Sequence, residues 1–197
     1  YYYFSYGAEQ YWRFLLTYAI TPNLIVTQQG AGIFSAFTCM FLHADPAHIF
    51  FNMLALWVFG RRVEDACGPF RFLIFYLCCG LVADLTAVMA QPSSTIPALG
   101  ASGAVFGMEG AYLMLYPSGR IRTLIIWFVP LWPRIPAIWI MLYKLPFQII
   151  PAFDVIFNGG DYSVGYWAHL GGFFGSIIVV FFLRPLASAR FWKSLPI

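Results

Sequence analysis

Ser102, His169, His48 and Asn52 are the residues whose types and spacing could do chemistry. A serine hydroxyl is a weak nucleophile until a neighbouring base takes its proton, and an imidazole is well suited to that. Ser102 lies in Leu99-Gly-Ala-Ser102-Gly103-Ala-Val-Phe106-Gly107-Met-Glu109-Gly110, where an irregular stretch becomes an apolar helix. His169 lies in Gly165-Tyr-Trp-Ala-His169-Leu-Gly171-Gly172-Phe-Phe-Gly175. His48 and Asn52 are four residues apart, so one helix face presents both. Acyl transfer also needs donors aimed at a developing oxyanion. Asn52 offers an amide NH2, His48 a ring N–H, and Ser102 the backbone N–H of a helix N-terminus.

The elements that must position these residues are membrane spans. The 197 residues are 61% hydrophobic and only 10% charged, against roughly 25% charged in soluble domains. The fold class is therefore an all-α polytopic membrane protein. A net charge of +3 is too small to argue for nucleic acid. The first span starts at Asp45-Pro46, an N-cap followed by proline at the first helical position, and ends at Gly60-Arg61-Arg62. The second covers residues 70–89, and the third is the serine helix, ending at Pro117. The fourth covers 135–153, loosened at Pro146, and the last covers 165–183, ending at Arg184-Pro185. Turn residues break up 7–38, where short amphipathic pieces are expected at the membrane surface. Residues 123–134, interrupted by Pro130 and Pro133, read as a connection at or dipping into the membrane. Arg61, Arg62, Arg71, Arg120, Arg122, Arg134, Arg184, Arg190 and Lys193 all fall on one side when the spans alternate. The positive-inside rule makes that side cytoplasmic. The visible spans then start outside, which implies a further span before the aromatic run at residues 1–6.

Depth connects the four residues. On a rise of about 1.5 Å per residue, Ser102 to Pro117 and His169 to Arg184 are each about 22 Å. His48 to Arg61 is roughly 20 Å on the same rise, and Asn52 lies about one turn lower. In a hydrocarbon core about 30 Å thick, Ser102, His169 and His48 share one level below the outer surface. No acid falls at that level, so the pattern is a Ser-His dyad. Gly103 and Gly107 leave the serine helix with a bare face, and Gly165, Ala168, Gly172 and Gly175 do the same for the last span, so the two can pack closely. Each residue taken singly has a packing explanation; the shared depth argues against coincidence.

Other groups read as structural. His43 is expected to fix a loop by hydrogen bonding. A metal site from His43, Asp45 and His48 lacks a fourth ligand, and neither metal nor cofactor is expected. Cys39, Cys67, Cys78 and Cys79 lack zinc-site spacing and read as reduced. Asp84 and Glu109 fall inside spans and receive no role.

With these residues in view, the chain resembles the rhomboid family of intramembrane serine proteases. The carriers are Phe41-Leu-His43-x4-His48-x3-Asn52, Gly100-Ala-Ser102-Gly103 and Ala168-His169-Leu-Gly171-Gly172. The resemblance implies a rhomboid-like helical bundle with a six-span core, its first span absent or truncated here. Residues 1–197 form a single rhomboid-like membrane domain: 1–40 the inserted first-loop region, 41–184 the spans with the catalytic core, 185–197 a cytoplasmic tail. It further implies Ser102 as nucleophile, His169 as general base, and His48 and Asn52 as oxyanion donors with the Ser102 amide. Phe106 would pack against the histidine, with Gly103 and Gly172 in support, and 135–153 would act as substrate gate. Phe34-Ser35 stands where the family's first loop often carries Trp-Arg, and Glu109 where an apolar residue is usual. The implied partners are single-pass or multi-pass membrane protein substrates and the lipid bilayer, in a bacterial inner (plasma) membrane. The oligomeric state stays open. Two other classes compete: a non-proteolytic binder or chaperone of unstable transmembrane helices, and a transporter or channel, for which no inverted repeat is found.

Overall fold

In a computed structural model, residues 7–126, 130–159 and 165–193 are described, 126 and 181–193 by backbone alone. The aromatic run at 1–6 lies outside the described residues, as do 127–129 and part of the loop after 157. Three short helices open the chain: α1 (Ala8–Tyr18), α2 (Pro22–Val26) and α3 (Ile33–Thr38). They are the broken, surface-type pieces that the turn residues dictate. A 3-10 turn at Cys39–Phe41 leads to α4 (Pro46–Ala55). Asp45 caps α4: its carboxylate accepts the His48 N–H at 2.8 Å, with Pro46 beginning the helix.

The first span departs from expectation. The helix itself does not stop at Gly60-Arg61-Arg62 but runs through a π-helical turn, Leu56–Gly60, into α5 (Arg61–Cys67). Gly60 keeps right-handed helical angles (φ −63°, ψ −42°), and a glycine in that conformation does not end a helix. The stop is Gly68, whose φ of 87° a side chain would resist. Pro69 then starts α6 (Pro69–Ala90).

After the loop comes α7 (Ser102–Leu115). The connection expected at 123–134 contains two small antiparallel ladders, so the fold is not purely helical. β1 (Arg120–Arg122) pairs with β4 (Arg134–Pro136), and β2 (Ile125–Ile126) with β3 (Pro130–Leu131). Then follow α8 (Ala137–Lys144) and α9 (Pro146–Asn158), continuous apart from the loosening at Pro146. The last helix, α10 (Tyr166–Lys193), also exceeds its expected end at Arg184-Pro185. Proline removes one N–H but its φ suits a helix, so the backbone stays helical to Lys193. Among the described residues, Pro69–Ala90 and Ala137–Asn158 are long and apolar enough to cross a membrane, and Tyr166–Val180 is a shorter apolar helix.

The centre of the molecule is α7, held between α6 and α10. Residues 103–112 of α7 are all buried. A Cβ on Gly172 would run into the Gly103 carbonyl oxygen and come within 3.4 Å of the Gly107 nitrogen. The contact with α10 thus depends on Gly172 having no side chain. The Gly103/Gly107 stripe faces α10 as expected, its missing Cβ atoms lying 3.6 Å from Ala168 O and 3.3 Å from Gly172 O, and it faces α6 more closely still. Its missing Cβ atoms would meet Ala83 and Cys79 of α6, each at 2.6 Å. The same two glycines therefore let both neighbours close onto the serine helix.

Gly172→Ala should push α7 and α10 apart at a cost of about 1–3 kcal/mol, the usual range for overpacking. The thermal unfolding midpoint in detergent checks this. Ile178→Ala, on the exposed side of α10, should change stability by no more than about 0.5 kcal/mol.

Candidate active site

A helix of 14 residues is about 21 Å long, shorter than a hydrocarbon core of about 30 Å. A helix of that length with one end at a membrane interface falls short of the other, so non-helical chain would have to cover the rest. Such backbone persists at that depth only where protein satisfies its polar groups. The first-loop region does this. Ile20 and Ala98 exchange backbone bonds of 2.9 and 2.8 Å, Asn23 N–H donates to Ser94 O at 3.0 Å, and Gly100 N–H to Cys39 O at 2.9 Å. Backbone groups make this anchoring, so it needs no particular side chain at Phe34 or Ser35.

Ser102 opens α7, and Oγ lies 2.8 Å from His169 Nε2. The Phe106 ring, one turn below, stacks on the imidazole with centroids 4.4 Å apart and planes 10° from parallel. Opposite stands His48. A Cβ on Gly100 would come within 2.8 Å of His48 Cε1, 2.9 Å of its Nε2 and 3.7 Å of Ser102 Oγ, so only glycine fits between ring and hydroxyl. Gly100 also has a φ of 128°, which L side chains rarely adopt. The Ala44 N–H points at His48 Nδ1 from 3.4 Å, which leaves the proton on Nε2, the nitrogen facing Ser102. Asn52 is buried one turn lower, and its Nδ2 has no protein partner. These groups line one cavity of about 610 Å³, together with Phe51, Phe106 and Lys144. The structure thus brings Ser102, His169, His48 and Asn52 together, with Phe106 on the base and Gly103 and Gly172 at the helix contact.

This arrangement sits within a recognisable domain. The rhomboid domain profile matches residues 31–186. The chain belongs to the rhomboid family. It is 42% identical over 90 residues to Rhomboid protease GluP of Bacillus subtilis, covering 44% of this chain and 17% of that protein. It is 34% identical over 114 residues to Rhomboid protein 1, mitochondrial, of Saccharomyces cerevisiae (56% and 32%). RHOMBOID-like protein 1 of Arabidopsis thaliana matches at 30% over 155 residues (78% and 36%). The chain therefore spans a third or so, or less, of the length of these curated relatives. The rhomboid domain and its apolar helices make it an integral membrane protein. Bacterial, mitochondrial and plant proteins all appear among the relatives, so they do not select one membrane.

Two polar residues near the site of this rhomboid, Gln148 behind His169 and Lys144 in the cavity lining, were not singled out by the sequence. Gln148, on α9, places its Oε1 2.7 Å from His169 Nδ1. Lys144, at the end of α8, places Nζ 2.6 Å from Glu109 Oε1 and 4.6 Å from the centre of the Phe106 ring. Glu109, 0% exposed, thus gains the partner that the sequence left unassigned. The one available clue was spacing: Lys144 and Gln148 are four apart and share a helix face. Asp84 also gains a partner, the Cys39 thiol, which donates to Oδ2 at 3.2 Å. Cys39, Cys78 and Cys79 are free thiols. His43 does not make the expected loop-fixing bond through Nε2, which is buried without a partner. Its ring stands edge-on to His48 at 5.1 Å. Burial, then the neighbouring His48, holds its pKa below the ordinary histidine value.

Lys144→Met leaves Glu109 buried beside an apolar chain. Its destabilisation should fall toward the lower end of the 3–5 kcal/mol typical of halving a buried pair (~3 kcal/mol), because Lys144 is partly exposed. Adding Glu109→Leu should return most of that loss. A double-mutant cycle on unfolding in detergent reads both numbers.

Proposed function

We propose that this chain is an intramembrane serine endopeptidase that cleaves transmembrane segments of membrane protein substrates through an acyl-enzyme. One observation carries the reading: the hydroxyl of Ser102 lies at 2.8 Å from His169 Nε2 in a cavity that also holds an unpartnered amide NH2, that of Asn52.

In this reading Ser102 Oγ attacks the carbonyl carbon of the scissile peptide while His169 Nε2 takes the hydroxyl proton. Negative charge moves to the carbonyl oxygen. His48 Nε2–H, the Asn52 amide and the Ser102 backbone N–H, which belongs to a first turn whose amides lack intrahelical acceptors, stabilise it. The C–N bond breaks as Nε2 returns its proton to the leaving amine. Water then loses a proton to His169, attacks the Ser102 ester, and releases the acid product and the free serine. Phe106 keeps the imidazole plane fixed throughout by stacking. Asn52's orphaned donor favours this role: a buried NH2 without a partner costs free energy unless a substrate oxygen or water fills the position.

Orientation follows from charge. Arg61, Arg62, Arg120 and Arg122 gather at the Tyr116 end of α7, where the Tyr116 hydroxyl donates to the Arg62 carbonyl at 2.9 Å. That end is proposed as cytoplasmic, with Ser102 near the opposite face and water reaching it from there. The C-terminus of α10 then lies on the cytoplasmic side, and a bacterial inner membrane is the setting in which this orientation applies.

Ser102→Ala and His169→Ala should each abolish cleavage of a membrane-embedded reporter, with folding retained. His48→Ala and Asn52→Ala should each lower kcat by about 10²–10³-fold, the range for loss of one oxyanion donor, with little change in KM. A fluorophosphonate should label Ser102 in the native protein and fail to label His169→Ala. Undiminished cleavage by Ser102→Ala would end the proposal. A folded native protein that never labels replaces it with the non-proteolytic binder of transmembrane helices.

A further inference from the structure

Every step above needs His169 to present a bare Nε2 to Ser102, so its other nitrogen must carry the proton. In serine hydrolases with a triad, a carboxylate enforces that tautomer. Among the described residues, the hydrogen bond at His169 Nδ1 comes from an amide and not from a carboxylate. Glu109 pairs with Lys144, Asp84 accepts from Cys39, and Asp45 caps α4. The group at Nδ1 is the side-chain oxygen of Gln148, 2.7 Å away.

We propose that Gln148 is a positioning residue for His169: its amide oxygen accepts the Nδ1–H and thereby leaves Nε2 free to take the Ser102 proton. The inference rests on the proteolytic reading of the dyad. Chemistry favours an amide at this depth. It orients the ring as a carbonyl acceptor without placing another charge among apolar helices. The reverse orientation, with the amide NH2 toward Nδ1, would put the proton on Nε2 and leave Ser102 without a base.

The placement of Gln148 is itself reinforced. Lys144, four residues before it, holds Glu109 of α7, and Ala152, four residues after it, accepts the Trp167 indole N–H of α10 at 2.8 Å. Lys144, Gln148 and Ala152 form one stripe along α8 and α9. The opposite side of these helices is exposed, at Tyr143, Phe147 and Ile150. The polar stripe therefore seats α9 against the dyad, and seating α9 orients the base.

The test uses the full chain in detergent or liposomes with a cleavable membrane-embedded reporter. Gln148→Met keeps the length of the side chain and loses the acceptor; Gln148→Glu keeps the acceptor. Gln148→Met should lower kcat about ten- to a hundredfold, part of what general-base catalysis supplies, with KM within about twofold. Gln148→Glu should recover most of kcat. A kcat for Gln148→Met within twofold of the native value overturns the proposal, and so does Gln148→Glu performing no better than Gln148→Met. A second readout needs no variant at position 148. Nitrogen NMR of histidine-labelled native protein, with His169 assigned by loss in His169→Ala, should find the Nδ1–H tautomer; the Nε2–H tautomer overturns the proposal. If Ser102→Ala still cleaves, the proteolytic reading has failed, whereas a Ser102-dependent enzyme indifferent to position 148 refutes this inference alone.

Discussion

The close approach of α7 and α10 is the contact on which the site depends. A hydrogen bond between side chains on two helices requires the backbones to come nearer than ordinary side chains permit. Here Gly172 lies against the Gly103 carbonyl, with no room for a Cβ. In an apolar solvent, helices gain little from burying apolar surface, and packing contacts of this kind drive association. The same contact that holds the bundle therefore sets the Ser102–His169 distance. Gly103 and Gly107 also admit Ala83 and Cys79 of α6, so the helix that carries Ser102 is fixed from two directions.

The second constraint is that polar groups in this bundle must be answered from within it. Most find partners across helices: Glu109 with Lys144, Asp84 with Cys39, His169 with Ser102 and Gln148. Asn52 Nδ2 does not, and Asn52 lines the same cavity as Ser102. Thr21 Oγ1, His43 Nε2 and Glu109 Oε2 are also buried without a partner, and what sets Asn52 apart is that it shares a cavity with Ser102 and His169.

The short α7 and the long first-loop region solve one problem together. A serine at the start of a helix lies below the membrane surface only if the helix is short. The loop that replaces the missing turns must then have its backbone polar groups satisfied by protein. Helices α1–α3 and the Cys39 turn supply the backbone partners, and Ile20 and Ala98 bind in both directions. A segment with no catalytic residue of its own thereby holds the loop that ends at Gly100, whose conformation fits the space between His48 and Ser102.

The sequence by itself determined the helical class, the capped start at Asp45-Pro46, and the level at which Ser102, His169 and His48 meet. These follow from composition, local capping chemistry and the fixed rise of a helix, all of which act within one segment. It misplaced the ends of two helices, because Gly60 and Pro185 were read as stops. A glycine with helical angles continues a helix, and the backbone stays helical past Pro185 in spite of the bond lost and the crowding of the preceding turn. It could not name Gln148 as the group behind the base or Lys144 as the partner of Glu109. Those pairs join residues 21 and 35 positions apart, and which faces of two helices meet depends on how they rotate about their axes. Only the tertiary packing decides that rotation, because it is chosen where the smallest residues allow the closest fit.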